Sequence, residues 1–293
     1  MEQGDYLQAD VLIGESRDVS RELGDKQGVA VSLNALAVGA RDRGDLALAN
    51  ALSEENLQRW RELGDPKAIA RAISNLASVV KLQGDFARAR ALYDECQSLF
   101  QQLGDRTGVA WSINYKGDVA RDEGDSASAR SLYEQALSMF REIGDRWGVA
   151  GTLADLGNLV REQRDCAAAH ALYRESLKVF QELEHKRGIA RLLECFACSA
   201  SIQFQAERSL RLAGAAAALR QNIGAPLLPA EQAKLDAHLD PARYALANTS
   251  GATAWLEGWG MPLEKAIEKA IEEALRSDAE PSSGSHTPAH GKL

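Results

Sequence analysis

The chain has no run of about 20 apolar residues, the length a membrane-crossing helix needs. Its first residues, Met1-Glu2-Gln3-Gly4-Asp5, carry acid where a secretory leader has an apolar core, so the expectation is a cytoplasmic protein that does not engage a membrane. Positive charge is in deficit, with 34 Lys and Arg against 42 Asp and Glu and a net charge of −8. That balance disfavours non-specific attraction to nucleic acid or anionic lipid. Cysteine is scarce. Cys96, Cys166, Cys195 and Cys198 fall inside predicted helices, which points to reduced thiols rather than a disulfide framework. Cys195 and Cys198 have the spacing of a redox or metal motif, but no second cysteine pair and no histidine at ligand spacing accompanies them. No glycine-rich phosphate cradle and no paired nucleophile and base occur, so no cofactor, no metal and no catalytic residue are expected.

What the sequence does contain is punctuation. Gly-Asp stands at 24, 64, 104 and 144, and in a second series at 4, 44, 84 and 124 that continues as Arg164-Asp165. A period of 40 residues means one supersecondary unit repeated head to tail, each copy burying its apolar face against its neighbours. Between marks, apolar residues recur at the spacing of one helix face. One helix type, A, reads Leu33, Leu36, Ala37, Ala40, then Ile73, Leu76, Ala77, Val80. The other, B, reads Ala89, Leu92, Tyr93, Cys96, then Ala129, Leu132, Tyr133, Ala136. The turn has a mechanical cause: Gly past a helix end takes left-handed backbone at little cost, and Asp caps the next helix. At Arg164 and at Glu184-His185 a non-glycine residue holds the turn, which predicts a different turn shape there or a strain of about 1 kcal/mol.

Small residues at Ala37, Ala77, Gly117, Gly157 and Ala197 in helix A, with Ala49, Ala89, Ala129 and Ala169 in helix B, mark close helix approach. With Tyr93, Tyr133, Tyr173 and the Gly-Asp turn, they resemble the tetratricopeptide repeat in a 40-residue form, over about residues 4 to 222. Lys116 departs from that pattern, where an apolar residue is usual. The resemblance implies an all-α, right-handed superhelix. The expected layout is a repeat array over 1–223, with an unpaired leading helix at 5–22 and five helix pairs, a helical cap over 224–276 and a disordered tail over 277–293. The leading helix, with Ala9, Leu12, Ile13, Ser16 and Val19 on its apolar face, lacks an A partner. Either the chain is a piece of a longer protein or this helix pairs with another chain, giving a homo-oligomer through 5–22. The segment from Gly224 to Pro229, with Trp255 and Met261-Pro262-Leu263, also resembles the end of large bacterial signalling regulators, in which an effector or ATPase precedes such an array.

A stack of A helices leaves a concave groove, and repeat phase sends Arg41, Arg71, Lys81, Trp111, Asn114, Asp118, Arg121, Asn158 and Arg161 into it. Arg41, Lys81, Arg121 and Arg161 form one basic column. Read plainly, each cation balances a carboxylate such as Asp42, Asp122 or Glu162. Read functionally, the column is a rail for an acidic peptide or protein segment, with Asn114 and Asn158 bonding its backbone and Trp111 offering a flat contact. Trp147, near a helix start, is expected between helices, and Trp111 either there or in the groove. The function that follows is a non-catalytic interaction or sensor module, with a self-associating scaffold as the alternative.

Overall fold

The computed structural model describes residues 3–247 and 250–277. The expected tail, apart from Ser277, lies outside the described residues. Eleven helices alternate along the array: α1 (Gln3–Glu22), α2 (Lys26–Asp42), α3 (Leu46–Leu63), α4 (Pro66–Leu82), α5 (Phe86–Gln102), α6 (Arg106–Asp122), α7 (Ser126–Ile143), α8 (Arg146–Glu162), α9 (Cys166–Glu182), α10 (Lys186–Ile202) and α11 (Ala206–Asn222). Three more follow, α12 (Pro229–Ala245), α13 (Ser250–Trp259) and α14 (Leu263–Ser277), and no strand occurs among the described residues. The even-numbered helices α2 to α10 are the A type, the odd-numbered α1 to α11 the B type, and they wind into the right-handed superhelix that the repeat period predicts.

The turns share a left-handed residue after the preceding helix, from Gly24 at φ 70° to Gly224 at φ 61°. From Asp25 to Asp165 the aspartate that follows accepts a backbone N–H three residues on, as Asp105 does from Gly108 at 2.9 Å, whereas Gln205 makes no such side-chain cap. Arg164, Glu184 and Phe204 hold the left-handed conformation too, at φ 69°, 51° and 58°. The turns expected to differ therefore do not, because helices stacked on both sides fix the path and the non-glycine residues bear the strain.

The joint between successive repeats is a ring lying flat on a glycine. Phe100, Phe140 and Phe180 lie against Gly108, Gly148 and Gly188, where a Cβ would fall within 2.4 to 2.7 Å of the ring. Phe140 is fully buried, and a side chain of that size contributes about 1.5–3 kcal/mol on burial. Inside each pair, Tyr133 lies on Gly117 and Tyr173 on Gly157 in the same manner. These contacts leave Trp147 no place between helices. It is 46% exposed, contrary to expectation. Lys116, the odd residue of its position, turns aside to pair with Asp94 at 2.5 Å.

The leading helix leaves Leu12 and Val19 58% and 54% exposed. At the other end, α12 packs on α10 and α11, α13 on α11, and α14 on α9, α10 and α11. No helix among the described residues is long and apolar enough to cross a membrane.

Candidate functional site

Along α6, α8 and α10, with side chains from α12 reaching in, the chain holds a cavity of about 600 Å³, within the roughly 300–1,000 Å³ usual for small-ligand sites. Of the nine groove residues expected from repeat phase, Trp111, Asn114, Asp118, Arg121, Asn158 and Arg161 line it, and Arg41, Arg71 and Lys81 do not. Lys81 contributes from behind, through its ion pairs to Asp118 and Asp122 at 3.8 and 3.5 Å.

Tyrosine hydroxyls set the cavity floor. Tyr133 and Tyr173 are buried in helices α7 and α9, yet their hydroxyls reach through to donate to Asp118 at 2.7 Å and to Asn158 at 2.9 Å. Burial works against the charge of Asp118, but Lys81, Arg121 and the Tyr133 hydroxyl hold its carboxyl below the usual range. Asn114 is buried, donating one N–H to Asp155 at 3.2 Å and accepting from Thr152 at 2.8 Å. It is locked in the floor and is not a free clamp for a peptide backbone. Asn158, which lines the cavity, accepts from Tyr173 and from Cys195 through its oxygen, and its amide N–H groups take no part in those bonds.

The basic column is uneven. Arg41 pairs with Asp42 at 2.8 Å and Arg121 with Asp122 at 3.7 Å. Arg161 is 6% exposed, and its Nε has no hydrogen-bond partner among the described residues. Burial disfavours its charge and the Glu162 carboxylate favours it, and the guanidinium stays protonated.

Repeat phase overlooked one further column. Tyr115, Asp155 and Cys195 occupy equivalent positions on α6, α8 and α10 and all line the cavity. Asp155, nearly buried, receives Arg191 at 2.5 Å. Behind them Arg220 makes a two-pronged bond to Glu194, at 2.5 and 2.9 Å. The signal was present: Asn75, of the same column, bonds Asn34 at 2.7 Å just as Asp155 bonds Asn114. The aromatic wall was half foreseen. Trp111 packs on Trp147 and Phe140 with ring centroids 4.6 and 4.7 Å away, and Phe180 stacks on His185 at 5.2 Å. Burial pushes the Cys195 thiol up and the Cys198 thiol to about 12, so neither is a thiolate at neutral pH. No cluster of side chains suited to a metal ion occurs among the described residues.

His185 replaces the usual Asp at a helix start, and its Nδ1 accepts from Gly188 N–H at 3.0 Å. Burial and then Arg187 hold the imidazole below its ordinary value of 6.5. The neutral ring is the capping form, so its stabilisation is complete above pH ~6.5 and fades as pH falls below that value, because the unfolded chain binds the proton first. His185→Asp keeps a charged cap through this window. At pH 5.5 it should be more stable than the parent by about 1 kcal/mol, with little difference at pH 7.5. Urea unfolding at both pH values checks this, and equal gaps at the two would refute it.

A tetratricopeptide-repeat model matches residues 68–142 and again 108–182, the stretch that supplies α6, α8 and the joints of Phe100 on Gly108 and Phe140 on Gly148. No curated protein matches the sequence. Among solved structures, the apo form of RapI shares 11% identity at a TM-score of 0.59, over 92% of this chain and 100% of that one. A Rap protein complexed with Competence and Sporulation Factor shares 13% at 0.58, over 93% and 73%. BtubC (BKLC) from P. vanneervenii shares 19% at 0.57, over 75% and 92%. At such identities the likeness is one of fold. The chain thus carries tetratricopeptide repeats and folds as an all-α tetratricopeptide solenoid.

Proposed function

We propose that this chain is a non-catalytic interaction or sensor module that holds a segment of protein or peptide in the cavity between α6, α8, α10 and α12. One observation carries the reading: α6, α8, α10 and α12 together line a cavity with aromatic side chains, Trp111, Trp147 and Phe180, and charged groups of both signs. The Rap protein complexed with Competence and Sporulation Factor supports it as a ligand-bound case of a similar fold. Of the cavity's carboxylates, Asp155, Glu194, Asp118 and Asp122 are committed to Arg191, Arg220, Lys81 and Arg121, Glu231 caps the start of α12, and the thiols are protonated, which fits a binding role. The resemblance of residues 224–266 to the end of bacterial signalling regulators fits such a module working in the cytoplasm, where it biases an effector.

The test is selection of a random twelve-residue peptide display library on the immobilised chain. Gly151 has open space before it, with only Trp111 at 3.6 Å from where a Cβ would stand, so Gly151→Trp fills the groove without disturbing a joint. Enriched peptides should bind Gly151→Trp at least about tenfold more weakly than the parent, the loss of roughly 1.4 kcal/mol, while the melting temperature is kept. Peptides that bind both equally would put the site elsewhere. Exposure of Leu12 and Val19 on α1 favours a second reading, self-association through that helix. Removal of residues 1–23 reduces the number of copies per particle in solution only under that reading.

A further inference from the structure

The two sides of the cavity differ in kind, and the distance between them is set by α8. At the start of α8 the wall is aromatic: Trp111 lies over Gly151 and against Trp147, which stands in solvent on its other side. At the end of α8 the wall is charged, with Arg161 beside the exposed Glu162, and one buried cation forms no ion pair among the described residues. Among the cavity's cations drawn away from solvent, Arg220 has Glu194, Arg191 has Asp155 and Arg121 has Asp122. Arg161, more than nine-tenths buried, has an unpartnered Nε and forms no ion pair among the described residues. The groups around it are the neutral Tyr173, Cys195 and Cys198, the last within its hydrogen-bonding reach, and the solvent-exposed Glu162, and from α12 the cavity receives Lys234, His238 and Glu231, whose carboxylate is taken up in capping its own helix. A buried guanidinium in such surroundings lacks the paired carboxylate that its geometry is made for.

We propose that the groove reads its peptide at two points, an acidic side chain seated on Arg161 and a flat apolar side chain seated on the Trp111 and Trp147 step, four to five residues apart in the peptide. This rests on the groove reading above and specifies its ligand. Gly151 to Arg161 is a separation of ten residues on α8, about 15 Å at ~1.5 Å per residue. An extended peptide advances about 3.3 Å per residue, hence the spacing. Between the two points the Asn158 amide faces the peptide's backbone carbonyls. Asp118 and Asp155 do not repel the acid, since Lys81, Arg121 and Arg191 already hold them.

The same display selection, repeated on the full chain and on Arg161→Met and Trp147→Ala, tests the proposal. Peptides sensitive to Gly151→Trp should carry Asp or Glu four or five residues from Trp, Tyr or Phe. On Arg161→Met the acid preference should vanish while the aromatic one stays, and on Trp147→Ala the reverse. A synthetic peptide of the enriched sequence should lose about tenfold in affinity for the parent, and nothing for Arg161→Met, when its acid is changed to the amide. Groove-sensitive peptides without an acid at that spacing, or an equal loss on Arg161→Met, would overturn the two-point reading and leave the groove reading standing. Absence of any peptide sensitive to Gly151→Trp would overturn both.

Discussion

Gly258→Val should detach α13 from the array while the repeats ahead of it stay folded. The crossing of α11 and α13 is backbone against backbone. A Cβ at Gly258 would fall 1.8 Å from the Arg211 carbonyl oxygen and 2.7 Å from its carbon, and one at Gly214 would fall 2.3 Å from the Trp255 carbonyl oxygen. Neither neighbour is the end of a flexible side chain, so a whole helix has to move. Overpacking of this kind costs about 1–3 kcal/mol where side chains can yield, and more where they cannot. Once α13 lifts, Leu210 and Ala242 lose Ala254 from their common cluster. Because each repeat rests mainly on its neighbours, the loss should not spread to α2 to α9. The thermal melt of the variant should therefore split, with a new early transition, and proteolysis should cut between α12 and α14. Gly14→Ala, at a glycine with nothing within 4 Å, is the control and should leave the melt single. A single unshifted transition for Gly258→Val would show that the tight crossing does not hold the cap.

Most of this architecture was legible because its causes are local. Gly-Asp is a turn wherever it stands, since left-handed backbone and a helix cap need only those two residues. Small residues facing Tyr133 and Tyr173 were legible for the same reason. The turn at Phe204 was not. It has neither Gly nor Asp, yet it holds φ 58° with the ring 91% exposed, because the stacking of α10 and α11 prescribes the path. The site was readable to the extent that repeat phase determines direction, which brought Trp111, Asp118, Arg121, Asn158 and Arg161 together. Phase does not tell which charges meet. Arg191 reaches Asp155 across 36 residues, and Lys81 serves Asp118 rather than the groove, so a column that looked uniform has a single member without an ion pair among the described residues. Nor does phase apply to α12, which packs on α10 and α11 and brings side chains into the cavity.

That placement is itself tied to a buried ion pair, and its removal carries the second large effect. Arg220 and Glu194 are 7% and 8% exposed, and the third arm of the guanidinium donates to the Ala225 carbonyl at 3.2 Å, in the connection that leads into α12. Arg220→Met leaves Glu194 charged, buried and alone, a change that costs about 3–5 kcal/mol. The pair as a whole is a different matter. Its Coulomb attraction is offset by the desolvation of both groups, so Glu194→Leu with Arg220→Met should recover most of the loss, and stability in urea should approach that of the parent. What the double variant cannot recover is the bond to Ala225. If the pair serves to set α12 beside the cavity, proteolysis within residues 224–228 should remain faster in the double variant than in the parent, even where the two unfold at the same urea concentration. Equal cleavage would mean that α12 is held by its own packing, through Leu239 and Ala242, and that the buried pair only joins α10 to α11.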